Sequence, residues 1–385
     1  MTKETILVIN RGYLPGTQFG GPVTSIQNFC DSFYSEYNIK IITWDHDFGD
    51  KTRYSDIDKG WNEIGNAEVL YLSDRECSYS TFVKIITEEH PILCYLSGTI
   101  TSYFGFNDRV LKACKSTKTP VIIAPRGDIC SNALKLKKFK KSIAIYYCKS
   151  LSVFSNYYFQ ITIDEEKQNL QKLFNIREER IFDIPNIPAT IKPEINKDKI
   201  SGEADIIFLS RITKKKNLLD AIKSVNQTSQ TIKFDIYGPI EDEQYWDCCC
   251  EEIKLAPRNV KISYKGPLDT EEAKNIFKKY DAFIFETLSE NYGHVIIESL
   301  LCGCPVILSK GTTPWDDLNS EAGFVVELGQ HEEYAKRIDY IANLDYEDSC
   351  KFRANTYAYA EKKIDLCKLL DDYRKMFDRV KKETY

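Results

Sequence analysis

Along the chain, apolar residues fall in short unbroken runs, each followed by a longer stretch in which apolar positions recur at helical spacing. The first series is Ile6–Ile9, Ile39–Thr43, Val69–Leu72, Ile92–Leu96, Val121–Ala124 and Phe159–Ile163. Runs that short, apolar at successive rather than alternate positions, predict strands covered on both faces, as in a parallel sheet with crossover helices. A second series repeats the pattern at Ile206–Leu209, Ile232–Tyr237, Val260–Tyr264, Ala282–Phe285, Val306–Leu308 and Phe324–Val326. Between the two, Pro185, Pro188 and Pro193 are followed by charged and polar text from Glu194 to Glu203, which reads as a linker. Beyond Gln330 only helical spacing remains. It ends in Ile364, Leu366, Leu369, Leu370, Tyr373 and Phe377, a stripe flanked by Lys and Asp that predicts a long amphipathic helix.

The pattern thus predicts an α/β chain of two doubly wound domains. The N-terminal domain covers residues 1–190, the linker 191–203 and the C-terminal domain 204–360, and a helix over 361–385 packs back on the first domain. The 385 residues agree with that count at roughly 150 residues per domain. Two such domains are expected to face a central cleft, with ligands at the C-terminal ends of the strands.

A formal charge of −5 argues against general nucleic-acid binding. The 13 cysteines are odd in number and lack C-x-x-C spacing, so reduced thiols in a cytoplasmic protein are expected. The first apolar run is too short for a signal peptide, and no segment approaches ~18 uncharged apolar residues. The four histidines stand apart at positions 46, 90, 294 and 331, so neither a metal nor another cofactor is expected.

The densest stretch of candidate chemistry runs from Phe285 to Leu300: a strand end, a small-polar loop, then an amphipathic helix. Gly293 at the loop-to-helix junction lets backbone amides approach a ligand, and a helix N-terminus there suits a phosphate or diphosphate. Glu290 and Glu298 are too far apart for a close acid–base dyad and fit two ends of one elongated ligand: Glu298 a ribose diol, Glu290 hydroxyls of another sugar. Two solvated glutamates flanking a helix start are the plainer alternative. Arg211 and Lys216 stand between a strand end and a helix beginning near Asn217, where two cations would neutralise a departing diphosphate; a solvated lysine turn is the alternative.

Together, Ser210-Arg211…Lys216, Tyr237-Gly-Pro-Ile-Glu241, Tyr264-Lys-Gly-Pro267, Glu290-Asn-Tyr-Gly-His-Val-Ile-Ile-Glu298, Gly303-Cys-Pro-Val306 and Thr313-Pro-Trp315 resemble the retaining, GT-B-fold glycosyltransferases of family 4 (group 1). The likeness is strongest from Ile206 to Val326, with echoes at Gly20-Gly21, Pro125-Arg-Gly-Asp128 and Pro185-Asn186. It implies that Arg211 and Lys216 bind the donor diphosphate, Glu290 the donor sugar and Glu298 the nucleotide ribose. Asn291, Gly293, His294 and Val295 would lie near the phosphate or sugar, Gly238 and Gly266 would frame the base, and Gly21 would reach the donor phosphate across the cleft. Arg126 stands where many relatives carry histidine, and a charge-stabilising role is carried over to it; Glu286 stands where they often carry proline.

One basic segment, Leu134 to Tyr146, holds Lys135, Lys137, Lys138, Lys140 and Lys141, with Leu136, Phe139, Ile143 and Tyr146 at helical spacing. It reads as an amphipathic helix whose basic face docks on anionic lipid, or as a solvated surface helix.

The function expected from the resemblance is a metal-independent, retaining hexosyltransferase using a nucleotide-diphosphate sugar, UDP-linked first and GDP-linked second. The acceptor would be a sugar or lipid-linked saccharide in bacterial surface-polysaccharide or glycoconjugate synthesis, and the enzyme cytoplasmic or peripheral on the inner membrane face. A catalytically idle GT-B scaffold binding a nucleotide or partner enzyme is the alternative, and a sugar-nucleotide 2-epimerase a third reading.

Overall fold

The computed structural model describes residues 3–16, 19–99, 103–135, 138–268, 270–290, 292–318 and 320–383. The chain forms two compact units, one of residues 1–187 with 366–385, the other of residues 188–365. The second unit takes in residues 191–203, read from the sequence as a separate linker, and so begins 16 residues before position 204.

In the first unit the order is β1 (Glu4–Ile9), α1 (Gly21–Phe33), β2 (Tyr37–Trp44), β3 (Trp61–Ile64), β4 (Ala67–Leu72), α2 (Tyr79–Glu89), β5 (Leu93–Ser97), α3 (Asp108–Thr117), β6 (Val121–Ala124), α4 (Ser131–Lys135), α5 (Lys138–Ser150), β7 (Tyr158–Ile161), α6 (Asp164–Phe174) and β8 (Ile181–Asp183). The sheet runs β3-β4-β2-β1-β5-β6-β7-β8, parallel throughout except where β3 pairs antiparallel with β4. Every predicted strand is present. The additional β3 and β8 lie at the two edges, where one-sided burial leaves no continuous apolar run.

The second unit contains β9 (Glu203–Leu209), α7 (Leu218–Asn226), β10 (Thr231–Tyr237), α8 (Glu243–Lys254), β11 (Val260–Gly266), α9 (Thr270–Ile276), β12 (Ala282–Phe285), α10 (His294–Leu301), β13 (Val306–Ser309), β14 (Gly323–Val326), α11 (His331–Asn343) and α12 (Tyr346–Ile364). Its sheet is wholly parallel, in the order β11-β10-β9-β12-β13-β14. The chain winds outward from β9 in one direction and from β12 in the other. Loops after these two strands therefore part at the sheet's carboxyl edge, the switch point at which doubly wound sheets bind ligands. Buried Arg353 on α12 holds the incoming segment to this unit, donating to the carbonyls of Glu194 (2.7 Å) and Tyr280 (2.8 Å).

Asp365, at φ +38°, ends α12, and α13 (Leu366–Lys382) belongs to the first unit. Its buried face is Leu369, Tyr373, Met376, Phe377 and Val380, which shares Leu369, Tyr373 and Phe377 with the stripe predicted from sequence, while Ile364 belongs to α12. The Phe377 ring lies 6.0 Å from Phe29 and 5.7 Å from Phe33 on α1. Tyr373 donates to the Pro185 carbonyl (3.1 Å), and Arg374 grips Glu36 through two nitrogens.

Candidate functional site

The second unit's switch point is built from loops that hold one another. After β9, the Ser210 amide donates to Tyr237 (3.1 Å) and that of Ile212 to Pro239 (2.9 Å), so Arg211 is pinned between two contacts with the end of β10. This close approach explains Gly238: a Cβ there would sit 1.9 Å from the Ser210 oxygen, and φ is +134°. The Gly238 amide in turn donates to Gly266 (3.0 Å), tying the β10 and β11 ends together.

Lys214–Lys216 form one 3-10 turn in which Lys214 and Lys215 are exposed, and Asn217, at φ +56°, caps it, so α7 begins at Leu218. The Asn217 side-chain amide donates to the carbonyl of Glu286 (3.0 Å) just beyond β12, while Leu288 donates to Lys215 (3.0 Å). The β9 and β12 loops are thereby clamped, and the clamp places the Lys216 ammonium against the Glu290 carboxylate. Both groups are largely buried, with the ammonium 5.2 Å from the Phe285 ring centroid. The two cations are not poised alike, as the sequence suggested: Arg211 is 48% exposed and bonds both oxygens of Glu241 (3.0 and 3.2 Å).

Gly293, at φ +76°, caps α10, and its own Cβ position would be 3.3 Å from Glu290 Cγ. Glu290 and the α10 N-terminus, with His294 and Val295 in its first turn, are thus neighbours. First-turn helix amides have no intrahelical acceptor and carry partial positive charge, which suits an anion. Asn291 lies outside the described residues.

Glu298, just over one turn into α10, is buried. Its carboxyl makes no hydrogen bond or ion pair with a described residue, and burial pushes its pKa up to about 7, opposed by Lys274. Glu286 is a second such group. Both its oxygens are buried without a hydrogen-bond partner of good geometry among the described residues, and burial, opposed by the Ser224 hydroxyl and aided by the nearby Asp220 charge, pushes it up to about 8. The adjacent Ser224 hydroxyl is engaged with His331 Nδ1 at 3.2 Å. Sequence reading marked Glu286 only as an unusual residue type at its position; its burial was invisible because it follows an apolar strand by one residue.

Gly21 and Arg126 belong to the first unit. There α1 begins at Gly21, and the glycine with the demanding backbone is Gly20, at φ +63°. Arg126 follows β6 in a left-handed conformation (φ +56°). It donates to the Tyr95 hydroxyl (2.9 Å), while Nε and Nη1 are buried without a hydrogen-bond partner among the described residues. Next to it, Glu166 is buried and satisfied, accepting from the amides of Gly127 (2.6 Å) and Thr162 (2.9 Å).

The basic segment is corrected in orientation. Lys141 does not offer a surface charge: its side chain is 13% exposed, lies 3.5 Å from Asp128 and donates to the Ala133 carbonyl (2.9 Å). Ala144 and Cys148 face the core, leaving Ile143 and Tyr146 outside. Lys137 and the side chains of Lys135, Lys138 and Lys140 lie outside what the structure describes. Among the described residues no cluster of His, Cys, Asp and Glu has the arrangement of a metal site, and no helix is long and apolar enough to cross a membrane.

Residues 191–363, nearly the whole second unit, match the family model for glycosyl transferases group 1. Among curated proteins the chain is similar to the O-antigen chain mannosyltransferase B of Escherichia coli, 21% identical over 43% of this chain and 46% of that protein. It is also similar to the capsular polysaccharide biosynthesis glycosyltransferase CapM of Staphylococcus aureus, 26% identical over 35% of this chain and 36% of that one. The chain thus matches less than half the length of either relative. Among solved structures it resembles HepE of Anabaena, crystallised with UDP and glucose, at a TM-score of 0.71 and 15% identity over 98% of this chain and 100% of that one. Two doubly wound, largely parallel sheets and the match of residues 191–363 to the glycosyl transferases group 1 model agree on a chain of the GT-B fold.

Proposed function

We propose that the protein is a retaining glycosyltransferase that moves a hexosyl unit from a nucleotide-diphosphate sugar to an acceptor hydroxyl in surface-polysaccharide or glycoconjugate synthesis. The observation that carries this reading is Glu298, a buried carboxyl that accepts no hydrogen bond from a described residue, on the helix whose N-terminus adjoins the Lys216–Glu290 pair. Its two oxygens can accept both hydroxyls of a ribose, which would supply the hydrogen bonds the protein withholds.

In this reading the α10 N-terminus and Lys216 take the diphosphate, and Arg211 adds positive charge from the loop between β9 and α7. Glu290 shares Lys216 and orients the donor sugar. The sugar–phosphate bond breaks as the acceptor oxygen bonds the anomeric carbon on the same face. The departing phosphate oxygen takes the acceptor proton, so stereochemistry is retained without a dedicated protein base. Fixed cations and helix amides stabilise the leaving group, and no metal is assigned a part.

A UDP-sugar is the first donor to test, since UDP is named in the HepE complex, and a GDP-sugar the second. The relatives named for O-antigen and capsule synthesis support a polysaccharide acceptor. Thirteen free cysteines fit a reducing compartment.

Thermal denaturation with UDP, GDP, ADP and CMP, without metal, tests the donor site. A ligand at ~100 times its dissociation constant adds about 2.7 kcal/mol, a shift of several degrees. One diphosphate should stabilise the wild type and not Glu298→Ala. Absence of any shift in the wild type would favour an idle scaffold.

A further inference from the structure

Glu286 has no part in the donor reading, yet it stands at the root of the clamp that brings Lys216 to Glu290. Its side chain is fully buried. Facing it are Asp220, Lys223 and Ser224 from α7 and, from α11, Tyr334 and, through Ser224, His331. These groups are already engaged with one another or with backbone. Ser224 Oγ lies 3.2 Å from His331 Nδ1, Lys223 3.3 Å from Asp220, and the Tyr334 hydroxyl donates to the Val326 carbonyl (3.2 Å). An ionised Glu286 would thus be buried beside a second carboxylate whose cation is already taken, so the slot favours the neutral acid.

Asp220 carries the consequence to the clamp. The Asn217 side-chain amide donates one N–H to the Asp220 carboxylate (3.0 Å) and the other to the Glu286 carbonyl (3.0 Å). A charge on Glu286 repels Asp220, and with it the amide that ties α7 to the β12 loop. Two further ties between the loops converge on one acceptor, the Lys215 carbonyl, which receives the Leu288 amide (3.0 Å) and the Thr287 hydroxyl (3.2 Å).

We propose that Glu286 is a positioning residue: as a neutral acid it keeps the β9 and β12 loops closed on each other, and the clamp opens with loss of its proton. That the clamp serves a donor rests on the reading above; that Glu286 holds it does not. In the closed clamp the carboxyl keeps its proton up to about pH 8, whereas in water it loses it near 4.5. Between those values opening releases a proton and becomes easier as pH rises; above about 8 both forms are ionised and the dependence ends.

The test is hydrogen exchange of the full chain, read at the Leu288 amide, corrected for the direct effect of pH on exchange chemistry and compared with Phe283 in β12. Leu288 should exchange at least about tenfold faster than Phe283, the mark of a local opening. From pH 5 to 8 its protection should fall by at least about tenfold in the wild type and by no more than about twofold in Glu286→Gln, which has no proton to release. Any change of charge at His331 is common to both proteins and cancels between them. Asp220→Asn, which removes the facing charge, should make the fall smaller, and it serves in place of the glutamine variant if that one does not fold. No fall in the wild type, an equal fall in the variants, or Leu288 exchange no faster than that of Phe283 would each overturn the proposal. Saturating UDP should raise Leu288 protection at least about tenfold. If UDP does not bind, the donor reading fails and the pH comparison still decides the role of Glu286; if UDP protects and the pH comparison fails, the donor reading stands and this proposal falls.

Discussion

Glu166 and Glu298 are both glutamates buried on a helix that follows a parallel strand, one in each unit, and their surroundings treat them oppositely. Glu166 receives the amides of Gly127 and Thr162 and the Thr162 hydroxyl (3.2 Å), so its carboxyl ties the β6 and β7 loops together. Glu298 receives no hydrogen bond from a described residue; burial raises the pKa of both carboxyls, that of Glu298 to about 7. Burial is common to both and distinguishes nothing; what separates a structural carboxylate from a candidate ligand group is whether the protein has used its lone pairs. The same contrast holds between Glu166 and Glu286, whose oxygens find no hydrogen-bond partner of good geometry among the described residues.

The sharpest way to break this comparison is Lys216→Ala. It removes the cation beside the α10 N-terminus and should lower kcat by about 10²–10³-fold, the usual loss for one donor that stabilises developing negative charge. A kcat within tenfold of wild type would make the Lys216–Glu290 pair structural, in the manner of Glu166.

Glu166→Ala is the converse experiment. Leaving the Gly127 and Thr162 amides without an acceptor should cost about 3 kcal/mol in chemical denaturation, while nucleotide-induced stabilisation persists. Preserved stability would show that buried hydrogen bonds do not explain how Glu166 is tolerated.

Glu286 sharpens the comparison through pH. Its pKa rises from about 4.5 in an open chain to about 8 when folded, so between those values the folded state holds a proton that the unfolded state has released. Stability should therefore fall as pH rises from about 4.5 to about 8, by at most about 1.4 kcal/mol per unit, and level off above. Urea midpoints measured from pH 5 to 8.5 should show a flatter slope in Glu286→Gln. Parallel slopes would place that carboxyl in water.

The smallest effect is expected at Arg126. Glycine there relieves the left-handed backbone and removes two unpaired buried nitrogens, so Arg126→Gly should match or exceed wild-type stability by about 1 kcal/mol. A marked loss of stability would mean that the Tyr95 contact outweighs the strain.

The central strands were legible because burial on both faces writes an unbroken apolar run. The edge strand at Trp61-Asn-Glu-Ile64 was not, because one open face mixes polar residues into it. Candidate residues were legible as types at suggestive places: a lysine after a strand, a glycine before a helix, two glutamates around it. Their pairing was not, since Lys216 meets Glu290 across 74 residues of chain and only the clamp between the β9 and β12 loops brings them together. On α5 the helix itself was legible and its orientation was not: residue spacing defines faces, but which face turns inward depends on the shape of the core it meets, here one that takes Ala144 and Cys148 and leaves Tyr146 outside. Sequence alone thus determined the parallel sheets, the closing amphipathic helix and the inventory of charged groups, because these follow from local periodicity and chemistry. Tertiary structure decided which charges are paired and which buried carboxyls are left unsatisfied, because both depend on neighbours far away along the chain.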